Sequence, residues 1–429
     1  MSDFNKIIAN QKRVLEKLFA AKTIARAPVD NIDLMSPCAQ VVIGIRRCGK
    51  SVLCRMALQR HPELRYGYVD FDDEKLKAVT AEDLDDILKA VYVVYGEIQV
   101  LLLDEIQNVE GWELFVNRLL REGLHLLITG SNSKLLSSEL ATHLTGRHIA
   151  TELFAFSFAE YRRWLGRGKV EATEDEAELR RDYDRYFENG GLPETFVMAD
   201  VNGYLSMLYE SILSRDIIAR HRLRSPAQFS RVARVVMESY AQEVSFRNLA
   251  RQLEITNVRT VQNYIDYMER AYLVQSLKRY STKRVERTKI GKVYVIDPGF
   301  ITHFTGVAES DESRGRRLEN IVYLQLRTLR KALDSEIYYY QDGRHEIDFA
   351  LVHLGKVVQL IQVSYSVESA KTRERELSAL FDVGGKLNCK DLLLVTDHEN
   401  VEEKRGDLAV RIVDAPSWLM EMKSVPKGL

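Results

Sequence analysis

Cysteine is scarce in this sequence, and its spacing argues against the commonest uses of that residue. Cys38, Cys48, Cys54 and Cys389 do not form the closely spaced pairs that a zinc site requires. The nine histidines are scattered and complete no such site. We therefore expect free thiols in a reducing compartment and no zinc.

Long apolar runs, a signal-peptide core and an excess of charge of one sign are absent as well. No stretch of about 18 apolar residues occurs, so the sequence predicts no membrane-spanning helix. Residues 1–19 form an amphipathic helical pattern rather than a signal peptide, and we expect a cytoplasmic protein. The formal net charge is −1, so any surface for nucleic acid must be a local basic patch.

The clearest motif that is present lies in residues 41–51, VVIGIRRCGKS. An apolar run typical of a buried strand leads into Gly44–Ser51, which fits the phosphate-binding pattern G-x-x-x-x-G-K-[ST]. Glycines let the backbone approach phosphate oxygens, the lysine adds a charge, and the serine hydroxyl can ligate Mg²⁺. The sequence therefore predicts ATP and Mg²⁺ as ligands. The expected nucleotide contacts are Gly44, Arg47, Cys48, Gly49, Lys50, Ser51 and Val52.

Cys48 has two interpretations within this loop. The surrounding amides and the ammonium of Lys50 favour a thiolate. The interpretation that we favour is that the position only requires a small residue. In either case, we predict that alkylation of Cys48 blocks ATP binding by its bulk and that ATP protects the thiol.

A second motif follows in residues 98–107, IQVLLLDEIQ. Its apolar run is typical of a strand buried on both faces of a parallel sheet, and the run ends in Asp104 and Glu105. An aspartate in this position holds Mg²⁺, and the following glutamate can orient or deprotonate water. Because ligands collect at the carboxyl ends of such strands, we expect Asp104 and Ser51 at the metal. Glu105 and Lys50 are the predicted catalytic pair.

Two further polar groups are candidates for the same site. Ser131 or Asn132 follows the next apolar strand pattern, near the expected γ-phosphate, and we favour Asn132. The alternative for both residues is an ordinary strand-ending turn. Arg147 opens the next strand, where it could contact a γ-phosphate of its own chain or of a neighbouring subunit, or form a simple ion pair.

Several segments resemble a large group of bacterial and archaeal AAA-type ATPases. They are GIRRCGKS, LLLDEIQ, LITGSNSKLLSSELATHLTGR and LFAFSFAEY, and the similarity is tightest over residues 40–165. In that group an ATPase core is joined to a C-terminal region similar to restriction-endonuclease folds. The resemblance implies a P-loop sheet with strand order 5-1-4-3-2 and hydrolysis of ATP.

We accordingly predict an α/β protein with three parts, since 429 residues exceed one ordinary core. Residues 1–224 form a AAA-type P-loop ATPase core, completed by a helical lid, and residues 225–300 form a winged helix. Residues 301–429 form a restriction-endonuclease-like α/β domain. Within the lid, the charged stretch 170–182 is expected to be an exposed loop or the edge of a helix.

The middle part contains three helical patterns followed by two strand patterns, the order of a winged helix. Its third helix would place Arg259, Gln262 and Asn263 against DNA. The wing would be basic through Lys283, Arg284, Arg287, Lys289 and Lys292. DNA is the partner that we favour, and self-association or a protein partner is the alternative, because winged helices also bind proteins.

The last part has the pattern helix, three strands, helix and final strand, which resembles the restriction-endonuclease core. Asp348 stands at the first carboxylate position of that fold, Glu319 is the helix acid, and Glu346 could add a ligand. Gln362 and Ser364 replace the usual Glu-x-Lys pair, so a lysine charge is missing. We expect either a vestigial metal site or a polar strand start, without nuclease activity.

The function that we favour is a Mg²⁺-dependent ATPase acting as a switch or remodeller on DNA. One alternative is an ATP-regulated protein-interaction scaffold with no nucleic-acid role. The other is an ATP-linked, metal-dependent nuclease. Salt-dependent DNA binding separates the scaffold from the first function, because phosphate contacts release counterions.

Overall fold

A computed structural model describes residues 4–19, 23–130, 146–281, 291–306 and 310–421. The chain divides into two units. The first spans residues 1–153 together with 270–272, and the second spans 154–269 together with 273–429. Among the described residues, no helix combines the length and the apolar character needed to cross a membrane.

The first unit is built on a parallel sheet that has five strands within the described residues. The strands are β1 Ala39–Ile43, β2 Tyr66–Asp70, β3 Val100–Asp104, β4 His125–Gly130 and β5 His148–Glu152. Their order is β2-β3-β4-β1-β5, which is the 5-1-4-3-2 order that the resemblance implies. Every residue of β1 and β3 is buried, which explains the uninterrupted apolar runs in both segments.

The first unit also contains helices. They are α1 Phe4–Phe19, α2 Lys50–Gln59, α3 Leu84–Tyr95 and α4 Trp112–Arg121, with 3-10 turns at residues 27–31, 74–76, 81–83 and 106–108. The predicted N-terminal helix is present and buries Ile8 and Leu15. Val14 and Leu18 are exposed, so its buried face is narrower than the periodicity predicts.

The second unit begins with helices. They are α5 Phe158–Trp164, α6 Thr173–Asn189, α7 Val201–Ser211 and α8 Pro226–Glu238, and a π-helical segment, Ile212–Ala219, continues α7. The charged stretch 170–182 lies mostly in α6, so the helix alternative is the correct one. The Asp175 carboxylate accepts hydrogen bonds from the amides of Glu171 and Ala172, at 2.9 Å each, and thereby caps this helix.

Two helices and three short strands follow. They are β6 Gln242–Glu243, α9 Phe246–Gln252, α10 Val258–Arg270, β7 Val274–Leu277 and β8 Lys292–Val295. In the described part of the chain, the three strands form an antiparallel sheet in the order β6-β8-β7. The Ser245 hydroxyl accepts a hydrogen bond from the Asn248 amide at 3.4 Å, so Ser245 caps α9 as predicted.

The C-terminal part surrounds a mixed sheet. Its helices are α11 Pro298–Thr305, α12 Asp311–Leu333, α13 Ala370–Leu387 and α14 Ala415–Glu421. Its strands are β9 Glu336–Gln341, β10 Glu346–His353, β11 Lys356–Val363, β12 Leu392–Thr396, β13 Val401–Arg405 and β14 Leu408–Asp414. Within the described residues their order is β13-β14-β12-β11-β10-β9.

The predicted succession of helix, three strands, helix and strand is present as α12, β9 to β11, α13 and β12. The prediction that β12 ends the sheet is wrong, because β13 and β14 follow it. All but one of the β13 residues, VEEKR, are exposed, since this strand lies at the sheet edge. An exposed edge strand lacks the apolar alternation on which the sequence prediction depended.

Candidate functional site

The loop between β1 and α2 requires its two glycines for different reasons. A Cβ on Gly44 would lie 2.0 Å from the carbonyl oxygen of Leu153, so only glycine allows this close approach. Gly49 has a φ of +98°, in the left-handed region that favours glycine, and Arg47 also lies there with a φ of +71°. The loop therefore ends at the N-terminus of α2, whose first amides have no acceptor inside the helix and suit an anion.

Lys50 is buried at the start of α2, and its ammonium lies across this loop. Nζ donates hydrogen bonds to the carbonyl oxygens of Gly44 and Ile45, at 3.3 Å each. The same nitrogen lies 3.6 Å from Oε1 of Glu105. The predicted phosphate-binding cation and the predicted catalytic base thus meet at one place.

Asp104 ends β3 beside the start of α2, where the predicted metal ligands come together. Burial raises the pKa of Asp104, the charge of Glu105 raises it further, and hydrogen bonds from Thr129 and Ser51 lower it. The Thr129 hydroxyl donates to Oδ1 of Asp104. A serine hydroxyl and a carboxylate are oxygen ligands of the kind that Mg²⁺ prefers, so this pair fits the ion that the loop implies.

Thr129 is a site residue that the sequence analysis missed. Its hydroxyl oxygen also accepts a hydrogen bond from the amide of Glu105 at 3.1 Å, where Glu105 has a φ of +54°. Ser131 and Asn132, the predicted polar groups after β4, lie outside the described residues. The sequence feature that could have identified Thr129 is its hydroxyl, near the carboxyl end of the otherwise apolar strand β4.

Asp70 is a second carboxylate that the sequence analysis did not single out. It ends β2 directly opposite Asp104 in the strand register. Burial and, next, the charge of Asp104 raise the pKa of Asp70 to about 7. Gln11 on α1 fixes this strand end, because its side chain exchanges two hydrogen bonds of 3.0 Å with the Asp70 backbone.

Two buried arginines add positive charge to the same region. Arg26 donates from Nη1 to the carbonyl oxygen of Cys48 at 2.9 Å and so supports the loop from outside. Arg55 on α2 is buried, and its Nε and Nη1 atoms have no hydrogen-bond partner among the described residues. Neither position lies inside the two recognised motifs, which is why the sequence analysis passed over them.

The burial of the Cys48 thiol distinguishes its two interpretations. Cys48 is fully buried, and this burial raises its pKa more than the nearby charges of Lys50 and Arg26 lower it. The interpretation as a small, packed residue is therefore the better one.

Arg147 lies far from its own chain's loop. Its carbonyl oxygen accepts a hydrogen bond from the amide of Ala39, the first residue of β1, whereas the loop follows the last residue of that strand. At the rise of a β-strand, the two ends of β1, and with them the Arg147 backbone and the loop, are about 13 Å apart. Arg147 instead lines a groove of about 550 Å³ beside α4, together with Arg118 and Arg121.

The residues predicted to face DNA are only partly described. Arg259, Gln262 and Asn263 are exposed on α10, whose other face is buried through Val261, Tyr264, Ile265 and Met268. Lys283, Arg284, Arg287 and Lys289 lie outside the described residues. Lys292, predicted as part of the basic wing, is buried instead, with 5% of its surface exposed.

The acidic residues predicted at the endonuclease-like position converge on Lys292. Its Nζ lies 2.9 Å from Glu319 Oε1, 2.8 Å from Glu346 Oε1 and 2.9 Å from Asp348 Oδ1. Gln362 joins this cluster by accepting a hydrogen bond from the Asp348 amide at 3.2 Å. The sequence did not predict this contact, because Lys292 lies in a short strand pattern more than 50 residues from Asp348.

Sequence profiles divide the chain into three matched regions. A profile described as an AAA domain matches residues 37–162. Two profiles for domains of unknown function, DUF8612 and DUF4143, match residues 180–311 and 314–417.

The similar full-length proteins are themselves uncharacterized. MJ1544 of Methanocaldococcus jannaschii is 31% identical over 393 residues, which cover 88% of this chain and 86% of that protein. A protein of Haemophilus influenzae is 28% identical over 400 residues, which cover 89% and 94%. Among solved structures, the Walker-type ATPase PABY2304 of Pyrococcus abyssi aligns with 67% of this chain and 99% of its own, at 13% identity and a TM-score of 0.42.

The parallel strand order, the glycine-lysine-serine loop and the AAA profile define the first unit as a P-loop NTPase fold of the AAA type. At this identity and coverage, the chain belongs to the same family as MJ1544.

Proposed function

We propose that this protein is a Mg²⁺-dependent ATPase that acts as an ATP-driven switch or remodeller on DNA. One observation carries the enzymatic part. Lys50 lies 3.6 Å from Glu105, while Ser51 and Thr129 both hydrogen-bond to Asp104 at the same sheet edge. This set supplies a cation, a metal-binding pair and a base, which phosphoryl transfer to water requires.

Each residue has a separate role in this proposal. Lys50 and the first amides of α2 neutralise the phosphate oxygens. Ser51 and Asp104 would hold Mg²⁺, which supplies electrostatic stabilisation of the transferred phosphoryl group. Glu105 accepts the proton of the attacking water. Thr129 is a positioning residue, because its hydroxyl contacts both Asp104 and the Glu105 amide.

The order of α8, α9, α10 and the β7–β8 pair supports a winged helix and hence the DNA part of the proposal. A buried face on α10 leaves Arg259, Gln262 and Asn263 available at its surface. An exposed arginine flanked by amide side chains suits phosphates and base edges in a major groove.

The enzymatic part is tested by measuring phosphate release with ATP and Mg²⁺, with and without mixed-sequence duplex DNA. We expect Lys50→Ala to lose nucleotide binding or hydrolysis, because the phosphate-directed charge is gone. Glu105→Gln should bind ATP but stall, because an amide cannot accept the proton of water. Hydrolysis at the wild-type rate in Glu105→Gln would contradict the assigned base.

The DNA part is tested by the salt dependence of binding. Arg259→Ala should weaken binding to mixed sequences and reduce the slope of log K against log salt by about 1 if Arg259 neutralises a phosphate. Arg234→Ala is the matched control, because Arg234 is an exposed arginine on α8 paired with Glu238 at 2.9 Å. ATP hydrolysis without salt-dependent DNA binding would favour the protein-interaction scaffold instead.

A further inference from the structure

All three hydrogen-bond donors of the Lys292 ammonium have carboxylate partners. An ammonium carries three N–H groups, and Glu319, Glu346 and Asp348 lie 2.8–2.9 Å from Nζ. Although burial lowers the pKa of Lys292, the charges of Asp348, Glu319 and Glu346 raise it well above its usual value. The lysine therefore stays charged, and its hydrogen-bonding capacity is used within the cluster.

Further hydrogen bonds surround the Lys292 ammonium and its carboxylates. Tyr294 donates its hydroxyl proton to Oε1 of Glu319 at 2.7 Å. Oδ2 of Asp348 accepts a hydrogen bond from the Val363 amide at 3.0 Å. The Gln362 carbonyl accepts from the Asp348 amide, and the Gln362 amide donates to Glu376 at 2.8 Å. Gln362, the replacement for a glutamate ligand, is thus used as a bridge between two acids.

With the Lys292 ammonium held between them, these carboxylates do not fit the divalent metal that an endonuclease-like fold implies. The carboxylate oxygens lie 2.8–2.9 Å from Nζ of Lys292, which are hydrogen-bond lengths for an ammonium. A bound Mg²⁺ would require oxygens at about 2.0–2.1 Å from the ion. We infer that the ammonium of Lys292 is the resident cation of this site and occupies the position where a divalent metal would otherwise bind.

A structural role for the cluster follows from the elements that it joins. Lys292 begins β8, Glu319 lies on α12, and Asp348 lies on β10. The segment after β7 is bound to β9 of the C-terminal sheet by two backbone hydrogen bonds. The Tyr280 amide donates to the Tyr339 carbonyl at 2.6 Å, and the Tyr339 amide donates to the Lys278 carbonyl at 3.1 Å. Both strands of the β7–β8 pair are therefore fastened to the C-terminal sheet, one by backbone hydrogen bonds and one by the lysine.

The test uses Tb³⁺ luminescence sensitised by tyrosine in the nucleotide-free, full-length chain. Tyr294 contacts Glu319 and stacks on Tyr323 at 4.1 Å, so a lanthanide in this cluster would be excited efficiently. Every protein carries Asp104→Asn, which removes the metal ligand at the other candidate site. With Lys292 intact, we expect no luminescence component that depends on Asp348. Lys292→Ala should create a saturable component, and adding Asp348→Asn should abolish it.

Two outcomes would overturn the inference. One is Asp348-dependent Tb³⁺ or Mn²⁺ binding while Lys292 is present, a measurement that needs no Lys292 variant to fold. The other is a folded Lys292→Ala protein that binds no cation.

Thermal unfolding supplies an independent readout, because Lys292→Met leaves three unbalanced carboxylates. Lys292→Met should lower Tm, and adding Glu319→Gln should restore part of the loss, whereas a merely steric role for Lys292 predicts no such recovery.

Discussion

At the scale of single residues, the site depends on side chains that hold other side chains in place. Thr129 is the clearest example, because one hydroxyl contacts the Asp104 carboxylate and the Glu105 amide. A metal-binding carboxylate needs such a partner to keep its orientation.

We expect Thr129→Val to lower the Mg²⁺-dependent hydrolysis rate by about 10- to 100-fold while the chain stays folded and binds nucleotide. Valine keeps the shape of threonine but removes the hydroxyl, so Asp104 and the Glu105 amide lose a shared partner. Steady-state phosphate release measures the effect. Thr396→Val, at another buried threonine on β12, is the control and should retain the wild-type rate.

Cys48 gives a second prediction at this scale. Because it is buried and its thiol pKa is raised, iodoacetamide should modify Cys48 more slowly than the partly exposed Cys38. Mass spectrometry of the peptides, in native buffer and in urea, measures both rates. Fast native labelling of Cys48 that ATP suppresses would instead support the thiolate interpretation.

Asp297 gives a pH prediction. Its carboxylate accepts hydrogen bonds from the amides of Gly191 at 2.8 Å and Gly299 at 2.9 Å, and burial raises its pKa to about 7. An unfolded aspartate has a pKa of about 3.9, so between these values the folded chain keeps a proton that the unfolded chain loses. The free energy of unfolding therefore falls as pH rises through this window.

Asp297→Asn should remove about 2 kcal/mol of the difference in unfolding free energy between about pH 5.5 and pH 8, because asparagine does not titrate. Denaturant unfolding at both pH values measures the difference. Asp200→Asn, at the exposed cap of α7, is the control. Equal pH slopes for wild type and Asp297→Asn would show that Asp297 does not titrate in this range.

At the scale of elements, the β1–loop–α2 segment combines two constraints that can be separated. Gly44 is required by packing, since its Cβ would meet the Leu153 backbone. Gly49 is required by its backbone conformation, since the nearest atom to its Cβ would be 3.9 Å away.

We expect Gly44→Ala to lower Tm strongly, because β1 and the end of β5 must move apart. Gly49→Ala should add only about 1–2 kcal/mol of backbone strain and leave the chain folded, but it should weaken ATP binding. Thermal unfolding and nucleotide titration separate the two effects. A Gly49→Ala protein that is less stable than Gly44→Ala would contradict this assignment.

At the scale of the whole molecule, the position of Arg147 limits how it can take part in hydrolysis. It lies at the amino end of β5, and the loop lies at the carboxyl end of β1. A contact with the nucleotide of a second copy therefore fits this position better than a contact within one chain.

If Arg147 acts between copies, activity per chain should rise with protein concentration, and Arg147→Ala should reduce hydrolysis more than nucleotide binding. Rates measured across a dilution series, alongside light scattering, test this. Arg121→Ala is the matched control from the same groove. Constant activity per chain in a monomeric protein would exclude the contact.

Features formed by residues that are neighbours along the chain could be predicted from the sequence. The strand, glycine loop and helix of residues 41–59 are examples, because consecutive residues specify each of these elements. The same holds for β3 with Asp104 and Glu105. Periodicity also located α12, α13 and β9 to β12, because burial of one face leaves a repeating apolar pattern. It failed for β13, which has little buried surface to leave such a pattern.

Contacts between side chains that are distant in the sequence could not be predicted, because they depend on how the elements pack. Thr129 reaches Asp104 because β4 lies beside β3, and Arg26 reaches the Cys48 carbonyl from a segment before β1. Lys292 enters the acidic cluster because β8 packs against α12 and β10, although its basic neighbours in the sequence suggested an exposed wing. Charge and spacing along a chain do not specify such contacts, since a lysine's environment is fixed by the elements that fold around it. The sequence thus determined the phosphate loop, while the fold determined which cation the acidic cluster holds.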